Sequence, residues 1–193
     1  MNTTTLRVSV LALAIAAATT GQAAAAPRES VVNSASLVPT LQPETNAFPV
    51  RGPFNWGQEA AAFGGPRAGR SHEGQDVMSR TGTPIVAVAG GTVLETGNDG
   101  GRGNYLNLYD PILRVTYVYM HMVAPPAVKP GQDVTAGQRL GAVGCTGSCF
   151  GDHLHFEVRA GRGGQGASRD PRPLLERWRA ADRISASLPP GQS

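Results

Sequence analysis

The stretch that decides the fold reads His153-Leu154-His155-Phe156-Glu157-Val158-Arg159. Apolar and polar residues alternate along it, which predicts a β-strand whose successive side chains point to opposite faces. Leu154, Phe156 and Val158 then face a core, and His153, His155 and Glu157 share the other face. Two imidazoles at positions i and i+2 of a strand lie about 6.5–7 Å apart at Cα. Both can therefore reach one ion, or one can bind an ion while the other acts beside it.

The sequence contains four histidines, so His72 and His121 are the first partners to consider for this pair. His72 and Asp76 form an HxxxD pattern in which Gly74 argues against a helix, and we expect both to lie where a loop enters a strand. Together with the HxH pair they offer the nitrogen and oxygen donors that zinc accepts, and a catalytic zinc site uses three protein ligands. One histidine of the pair and His121 then remain for proton transfer and oxyanion stabilisation.

Many short strands separated by glycine-rich turns are predicted between these motifs. They cover residues 84–89, 92–95, 105–109, 114–121, 129–134 and 137–144. The alternation in the fourth of them places Tyr119 and His121 on one face. A single surface helix is predicted over 171–184, with Leu174, Leu175 and Trp178 at helical spacing. Short strands with no helix between them are typical of an all-β barrel or sandwich of antiparallel strands.

The first 25 residues are predicted to be a secretory signal, with Arg7, an apolar run over 8–18 and small residues over 21–26. That run is too short for a membrane span, and no later stretch qualifies. Residues 26–46 are polar and lack periodicity, which predicts a flexible spacer. We expect the domain over 47–175 and the C-terminal helix and tail over 176–193. The signal predicts a secreted or periplasmic protein, which we expect to be a monomer.

The net charge of +3 rests almost wholly on arginine, with Lys129 the only lysine. Such a modest basic excess suits an anionic polymer such as the bacterial wall. The sequence has neither a helix-turn-helix pattern nor an interleaving of aromatic and basic residues, so it gives no indication of nucleic-acid binding.

Cys145 and Cys149 enclose three residues, Thr146-Gly147-Ser148. In an exported protein a disulfide is the favoured interpretation, because Gly147 permits the sharp turn that so small a ring needs. The alternative is a thiolate metal pair, for which the spacing is permissible.

Taken together, these motifs resemble the lysostaphin/LytM-type zinc endopeptidases of bacterial peptidoglycan. The resemblance covers about residues 48–173 and implies the duplicated-hybrid-motif β-barrel of that family, with 82–93 and 131–143 as a trace of the duplication. The matching blocks are Phe48-Pro49, Gly69-Arg70, His72-x-Gly74-x-Asp76, Gly82-Thr83-Pro84, Tyr119-x-His121, Gly131-Gln132-x-Val134-x-x-Gly137-Gln138 and His153-Leu154-His155-Phe156-Glu157.

The resemblance implies that His72, Asp76 and His155 bind one zinc ion per chain and that His121 and His153 are catalytic. The implied reaction is hydrolysis of peptide bonds in peptidoglycan cross-links or stem peptides. Two alternatives stay open at this point. One is a non-catalytic LytM-like module that regulates other wall hydrolases, although such relatives typically lack the metal ligands. The other is a D-alanyl-D-alanine carboxypeptidase, whose usual spacing from histidine to aspartate is longer.

Three further residues are candidates for supporting roles. Glu157 either orients a metal-binding histidine or makes a structural ion pair. Tyr119 and Arg70 are candidates for substrate contacts, with packing and solvation as their respective alternatives. The sequence departs from the family pattern at 148–152 and at Met122, and we expect these positions to lie on the groove wall.

Overall fold

The computed structural model describes residues 46–67 and 69–187, so the predicted signal segment and nearly all of the predicted spacer lie outside the described residues. Within them no helix is long and apolar enough to cross a membrane. The elements of this part of the chain are a 3-10 turn at Glu59–Ala61, β1 (Pro66–Arg67), β2 (Arg70–Ser71), β3 (Gln75–Met78), β4 (Pro84–Val86), β5 (Gly91–Asp99), β6 (Gly103–Asp110), β7 (Val115–Met122), β8 (Asp133–Val134), β9 (Arg139–Ala142), β10 (His153–Ala160), β11 (Ser168–Arg169) and α1 (Arg172–Ser187).

Seven strands form an antiparallel sheet with the order β11-β10-β7-β6-β5-β8, and β3 pairs with β10 beside this path. One edge of β10 pairs with β7 from His155 to Ala160. The other edge pairs with β3 at residues 153–156 and with β11 at 158–159. The strand predicted from its alternation is therefore held on both edges in the middle of the largest sheet. Over the residues that the structure describes, the mainly antiparallel β-fold with a single α-helix confirms the predicted fold class.

Two smaller sheets complete the strand pairing. β1 and β2 form a short hairpin, and β4 pairs with β9. The start of β5 pairs with β8. The segments 82–93 and 131–143, which the sequence offered as a trace of duplication, thus pair with each other through both of their strands.

A β-bulge interrupts the end of β7. Residues 120 and 121 together oppose Tyr105 of β6, and His121 has a φ of 63°. One inserted residue in a left-handed conformation breaks the alternation of side chains along a strand. The sequence-based expectation that Tyr119 and His121 share a face is therefore corrected, and the bulge turns His121 toward the face that carries the other histidines.

Helix α1 packs on the core face of the sheet. Leu175 and Trp178 are buried, and the Trp178 ring lies 5.8 Å from that of Tyr117 and 6.2 Å from that of Phe156. The side chains of Tyr117 and Phe156 point away from the histidine face. The helix therefore supports the sheet from behind the predicted site. It begins at Arg172, so the predicted boundary between 175 and 176 lies inside it.

Trp178→Ala is expected to lower the free energy of unfolding by about 3–5 kcal/mol, because truncation of a buried aromatic side chain leaves a cavity. Denaturant unfolding measures the change. Arg177→Ala, on the exposed side of the same helix, is the matched control and should stay within about 0.5 kcal/mol of the original chain. Equal losses in the two variants would contradict the packing of α1 on the sheet.

Candidate active site

The paired strands β3 and β10 form the floor of the site. Asp76 on β3 is the register partner of His155 on β10, and directly opposed residues of an antiparallel pair share a face. His153 and Glu157 lie two residues before and after His155, so they share that face too. The Asp76 Oδ1 atom lies 2.9 Å from Nδ1 of His155 and 3.5 Å from Nε2 of His153. All four side chains are buried.

His72 reaches the same point from the segment that precedes β3. Its backbone N–H donates to the carbonyl of Gly65 at 2.9 Å, and its ring Nδ1–H donates to the carbonyl of Ala62 at 2.8 Å. These two hydrogen bonds turn Nε2 toward Asp76, with 3.1 Å between Nε2 and Oδ1. His72 and Asp76 thus lie where a chain segment enters a strand, as the sequence predicts.

Gly74 allows the segment between His72 and Asp76 to pass close to β10. A Cβ atom at position 74 would lie 2.6 Å from the carbonyl oxygen of Phe156 and 2.8 Å from Nε2 of His155. Real Cβ atoms do not approach backbone oxygen this closely, so a side chain here would push the His72 segment away from the strand.

Three potential ligand atoms meet at the centre of the site: Nε2 of His72, Nδ1 of His155 and Oδ1 of Asp76, which lie 2.9–3.1 Å from one another. The other nitrogen of each ring donates elsewhere, to the carbonyl of Ala62 and to Oε1 of Glu157. Three lone pairs packed this closely require a positive charge between them, from a proton or from a metal ion. Two imidazoles and a carboxylate are ligands that zinc accepts, so the residues present fit a metal ion.

The pKa values of Asp76 and His155 also indicate that a positive charge is needed at the centre of the site. Burial raises the pKa of Asp76, but hydrogen bonds with His155 and His72 outweigh burial and hold the pKa well below its usual range. Burial lowers the pKa of His155, but its hydrogen bonds to Asp76 and Glu157 outweigh burial and raise the pKa. A proton at this site compensates the carboxylates, and metal binding to histidine releases such a proton.

Glu157 determines which nitrogen of His155 faces the centre. Its Oε1 accepts from Nε2 of His155 at 3.0 Å, and its Oε2 accepts from Nε of Arg159 at 2.6 Å. Arg159 also donates to Glu73 at 2.9 Å. This geometry favours the orienting role over a purely structural ion pair. The sequence analysis missed Arg159 and Glu73, although Arg159 follows Glu157 by two residues on the same strand face and the alternation could have identified it.

A second carboxylate oxygen of the centre is also fixed. The Oδ2 atom of Asp76 accepts from Nη2 of Arg67 at 2.5 Å. Because Arg67 occupies Oδ2, Oδ1 remains the atom that faces the two histidines.

His121 and His153 lie side by side next to this centre, with ring centroids 4.8 Å apart. The Nδ1–H of His121 donates to the carbonyl of Thr146 at 2.8 Å, and that of His153 donates to the carbonyl of Gly151 at 2.7 Å. A carbonyl only accepts, so Nδ1 carries the proton in each neutral ring and Nε2 carries the lone pair. Burial lowers the pKa of His121 to about 4 and also lowers that of His153. Both rings are therefore neutral near pH 7.

The centre opens into a cleft of about 880 Å³ whose wall includes Arg67, Arg70, Arg102 and Arg159. Arg70 is exposed, and unlike the other three it has no ion-pair partner among the described residues. Its position fits the predicted substrate contact. Phe150 also lines the cleft with 90% of its surface exposed, which agrees with the expectation that 148–152 form part of the groove wall. Met122 is fully buried in the hydrophobic core, so the expectation that it lies on the groove wall is wrong.

Tyr119 does not reach the cleft. Its side chain is fully buried, its ring packs edge-on against Phe156 at 5.2 Å, and its hydroxyl accepts from the backbone N–H of Val88 at 3.0 Å. The predicted contact between Tyr119 and substrate is therefore corrected. The prediction assumed regular alternation from Tyr119 to His121, and the bulge at His121 breaks that alternation.

Cys145 and Cys149 form a disulfide, with 5.3 Å between their Cα atoms. The predicted disulfide is confirmed. The alternative of a thiolate metal pair is excluded, because both sulfur atoms are used in the covalent bond.

A β-sheet domain with a His–Asp–His donor set at the foot of a cleft, next to two neutral histidines, is typical of zinc hydrolases with one metal ion. Residues 70–171 match the sequence model of Peptidase family M23. This match covers more than half of the chain, and the chain belongs to that family.

Similar proteins with curated names include endopeptidases. Lysostaphin from Staphylococcus simulans is 34% identical over 109 residues, which make up 56% of this chain and 22% of lysostaphin. The glycyl-glycine endopeptidase ALE-1 from Staphylococcus capitis is 36% identical over 110 residues, or 56% of this chain and 30% of ALE-1. The peptidoglycan DD-endopeptidase ShyA from Vibrio cholerae is 38% identical over 87 residues, or 45% of this chain and 20% of ShyA. The chain thus spans less than a third of each of these proteins.

Solved structures show the same relationship. The catalytic domain of lysostaphin superposes with a TM-score of 0.57 at 31% identity, covering 64% of this chain and 92% of that domain. The catalytic domain of the prophage-encoded M23 protein EnpA from Enterococcus faecalis gives 0.55 at 29% identity, covering 65% of this chain and 95% of that domain. The resemblance to lysostaphin/LytM-type peptidases is therefore confirmed.

Glu157→Gln is expected to weaken metal binding about 10- to 100-fold, as loss of a partner that orients a ligand typically does. Glutamine has one acceptor oxygen for the two donors that Glu157 serves, on His155 and Arg159. Competition with a chromogenic chelator measures the affinity. Glu73→Gln is the matched control, because the Glu73 carboxylate accepts from Arg159 and not from a histidine ring, and the metal affinity of this variant should not change. Unchanged affinity in Glu157→Gln would refute the orienting role.

Proposed function

We propose that this chain is an exported zinc metalloendopeptidase that hydrolyses peptide bonds in the cross-links or stem peptides of bacterial peptidoglycan. The observation that carries the proposal is the meeting of lone pairs from His72, Asp76 and His155 beside the neutral rings of His121 and His153. The names of ALE-1 and ShyA include a glycyl-glycine and a DD-endopeptidase, which supports peptidoglycan peptides as the substrate class. The predicted signal segment supports export to the periplasm or the cell wall.

In this proposal His72, Asp76 and His155 hold the ion. The chemistry that zinc supplies when bound is activation of a water molecule and polarisation of the scissile carbonyl. Arg67 and Glu157 fix the orientations of Asp76 and His155 through the hydrogen bonds described above.

His121 and His153 serve as the groups that move protons. Each has a free lone pair on Nε2, so each can accept a proton from the attacking water. Once protonated at Nε2, the same atom can donate to the developing oxyanion or to the leaving amine. The carbonyls of Thr146 and Gly151 hold the Nδ1–H of each ring and stabilise the imidazolium that proton transfer creates.

Arg70 is proposed to bind a carboxylate of the substrate. It lines the cleft, it is exposed, and the other cleft arginines already pair with carboxylates of the protein. Stem peptides carry carboxylates, so a free guanidinium on the wall matches their charge.

A non-catalytic regulator of other wall hydrolases is the competing hypothesis. All five family positions are filled by the expected histidines and aspartate, and the structure brings them into contact with one another. A regulator has no need of a charged, buried cluster that costs free energy to desolvate, so the cluster favours an enzyme.

Digestion of purified peptidoglycan should release soluble fragments with new amino termini, which mass spectrometry identifies. Treatment with 1,10-phenanthroline should stop the release, and added zinc should restore it, because the proposed water activation requires the ion. Release that is insensitive to the chelator would refute zinc catalysis. A folded, zinc-loaded protein that releases nothing would favour the regulator.

His155→Ala and His153→Ala should separate ligand from catalyst. His155→Ala should lose both zinc and activity, because two ligands remain. His153→Ala should keep zinc near one ion per chain while its rate falls by about 10²–10⁴, as expected for loss of one acid–base group. Metal analysis by mass spectrometry and initial rates on peptidoglycan measure the two effects. Loss of zinc from His153→Ala would show that His153 is a ligand.

A further inference from the structure

Both histidines of the proposed proton-transfer pair take their orientation from one loop. This loop, residues 143–152, joins β9 to β10. It supplies the Thr146 carbonyl that accepts from His121 at 2.8 Å and the Gly151 carbonyl that accepts from His153 at 2.7 Å. These two hydrogen bonds decide which ring nitrogen faces the cleft, so the loop controls the tautomer of both histidines.

Hydrogen bonds to the rest of the domain anchor both halves of the loop. The Thr146 hydroxyl donates to the carbonyl of Met122 at 2.8 Å and accepts from the backbone N–H of Asn104 at 2.9 Å, so this half is tied to β6 and β7. In the other half the Ser148 N–H donates to the carbonyl of Gly101 at 3.0 Å and the Asp152 carboxylate accepts from the N–H of Thr81 at 3.1 Å, while Phe150 between them is 90% exposed. The disulfide joins this second half, through Cys149, to Cys145 beside the anchored Thr146.

Cys149 also lies next to both atoms of the hydrogen bond that orients His153. Its Sγ atom lies 2.9 Å from the carbonyl oxygen of Gly151 and 3.7 Å from Nδ1 of His153. A disulfide sulfur has no hydrogen to donate, so the carbonyl is left to His153. A reduced Cys149 differs in both of its states: the thiol can donate to the same carbonyl, and the thiolate can accept the Nδ1–H of His153.

We propose that Cys145 and Cys149 are positioning residues for the hydrolytic reaction, and that their disulfide holds His121 and His153 in the tautomer that presents Nε2 to the cleft. This inference rests on the proposed function of the two histidines. Neither cysteine lines the cleft. Cys145 is exposed, so a reductant in solution can reach the bond, and the activity should depend on the redox state of the chain.

The test compares the oxidised full chain with the same chain reduced by a phosphine. The phosphine is oxidised to its oxide, water supplies the oxygen atom and two protons, and the S–S bond becomes two thiols. Reduction is expected to lower kcat about 10-fold or more, since small misplacements of catalytic groups cost up to ~10²-fold. KM and zinc content should stay within about twofold, and reoxidation should restore kcat.

The double variant Cys145→Ala/Cys149→Ala is the matched control for the reductant. It lacks the cross-link, so its kcat should also be lower than that of the oxidised chain. It has no thiol to compete for the Gly151 carbonyl, so the loss should be smaller than in the reduced chain, and the phosphine should have no effect on it.

Nitrogen-15 NMR of the histidine rings supplies a measurement that does not depend on activity. In the oxidised chain His121 and His153 should both carry the proton on Nδ1, and reduction should change this signal for His153 first. An oxidised chain without peptidase activity would refute the proposed function. The ring signals would then still test whether the disulfide fixes the tautomers of His121 and His153. Equal kcat and unchanged ring signals after verified reduction would overturn this inference.

Discussion

The pairing of β3 with β10 is the constraint on which the rest of the site depends. It places Asp76 opposite His155, although the two lie 79 positions apart along the chain. A slip of one residue would turn Asp76 to the other face of the sheet. The register is secured because β10 is also paired with β7 and β11, and because α1 packs behind it.

The site places polar groups where a protein optimised only for stability would place apolar ones. His72, Asp76, His155 and Glu157 are all buried, and groups of this kind cost free energy unless every hydrogen bond is satisfied. Most of their polar atoms have partners within the chain, but the three atoms at the centre face one another. Such local conflict with folding rules is expected at functional sites, and an ion there would remove it.

The sequence predicted correctly which face each side chain occupies where apolar and polar residues alternate regularly along a strand. Alternation along β10 placed His153, His155 and Glu157 on one face, and Gly74 indicated that His72 and Asp76 lie outside a helix. It failed for Tyr119, because a bulge adds one residue and reverses the faces beyond it. The carbonyl partners of the histidine rings could not be predicted, because every residue has a carbonyl and only the path of the loop decides which one comes close.

The four histidine rings differ in which nitrogen donates a hydrogen bond to the protein, and their positions in the fold explain the difference. His72, His121 and His153 each donate Nδ1–H to a carbonyl. Nε2, the ring nitrogen further from Cβ, therefore faces the site. His155 is reversed: it donates Nε2–H to Glu157, and Nδ1 faces Asp76. His155 lies within the strand, directly opposite Asp76, where only the nitrogen near Cβ fits the short distance. A carboxylate two residues further along the same strand face is then in reach of Nε2. Glu157 is therefore required by the position of His155, in the same way that the loop carbonyls are required by the positions of His121 and His153.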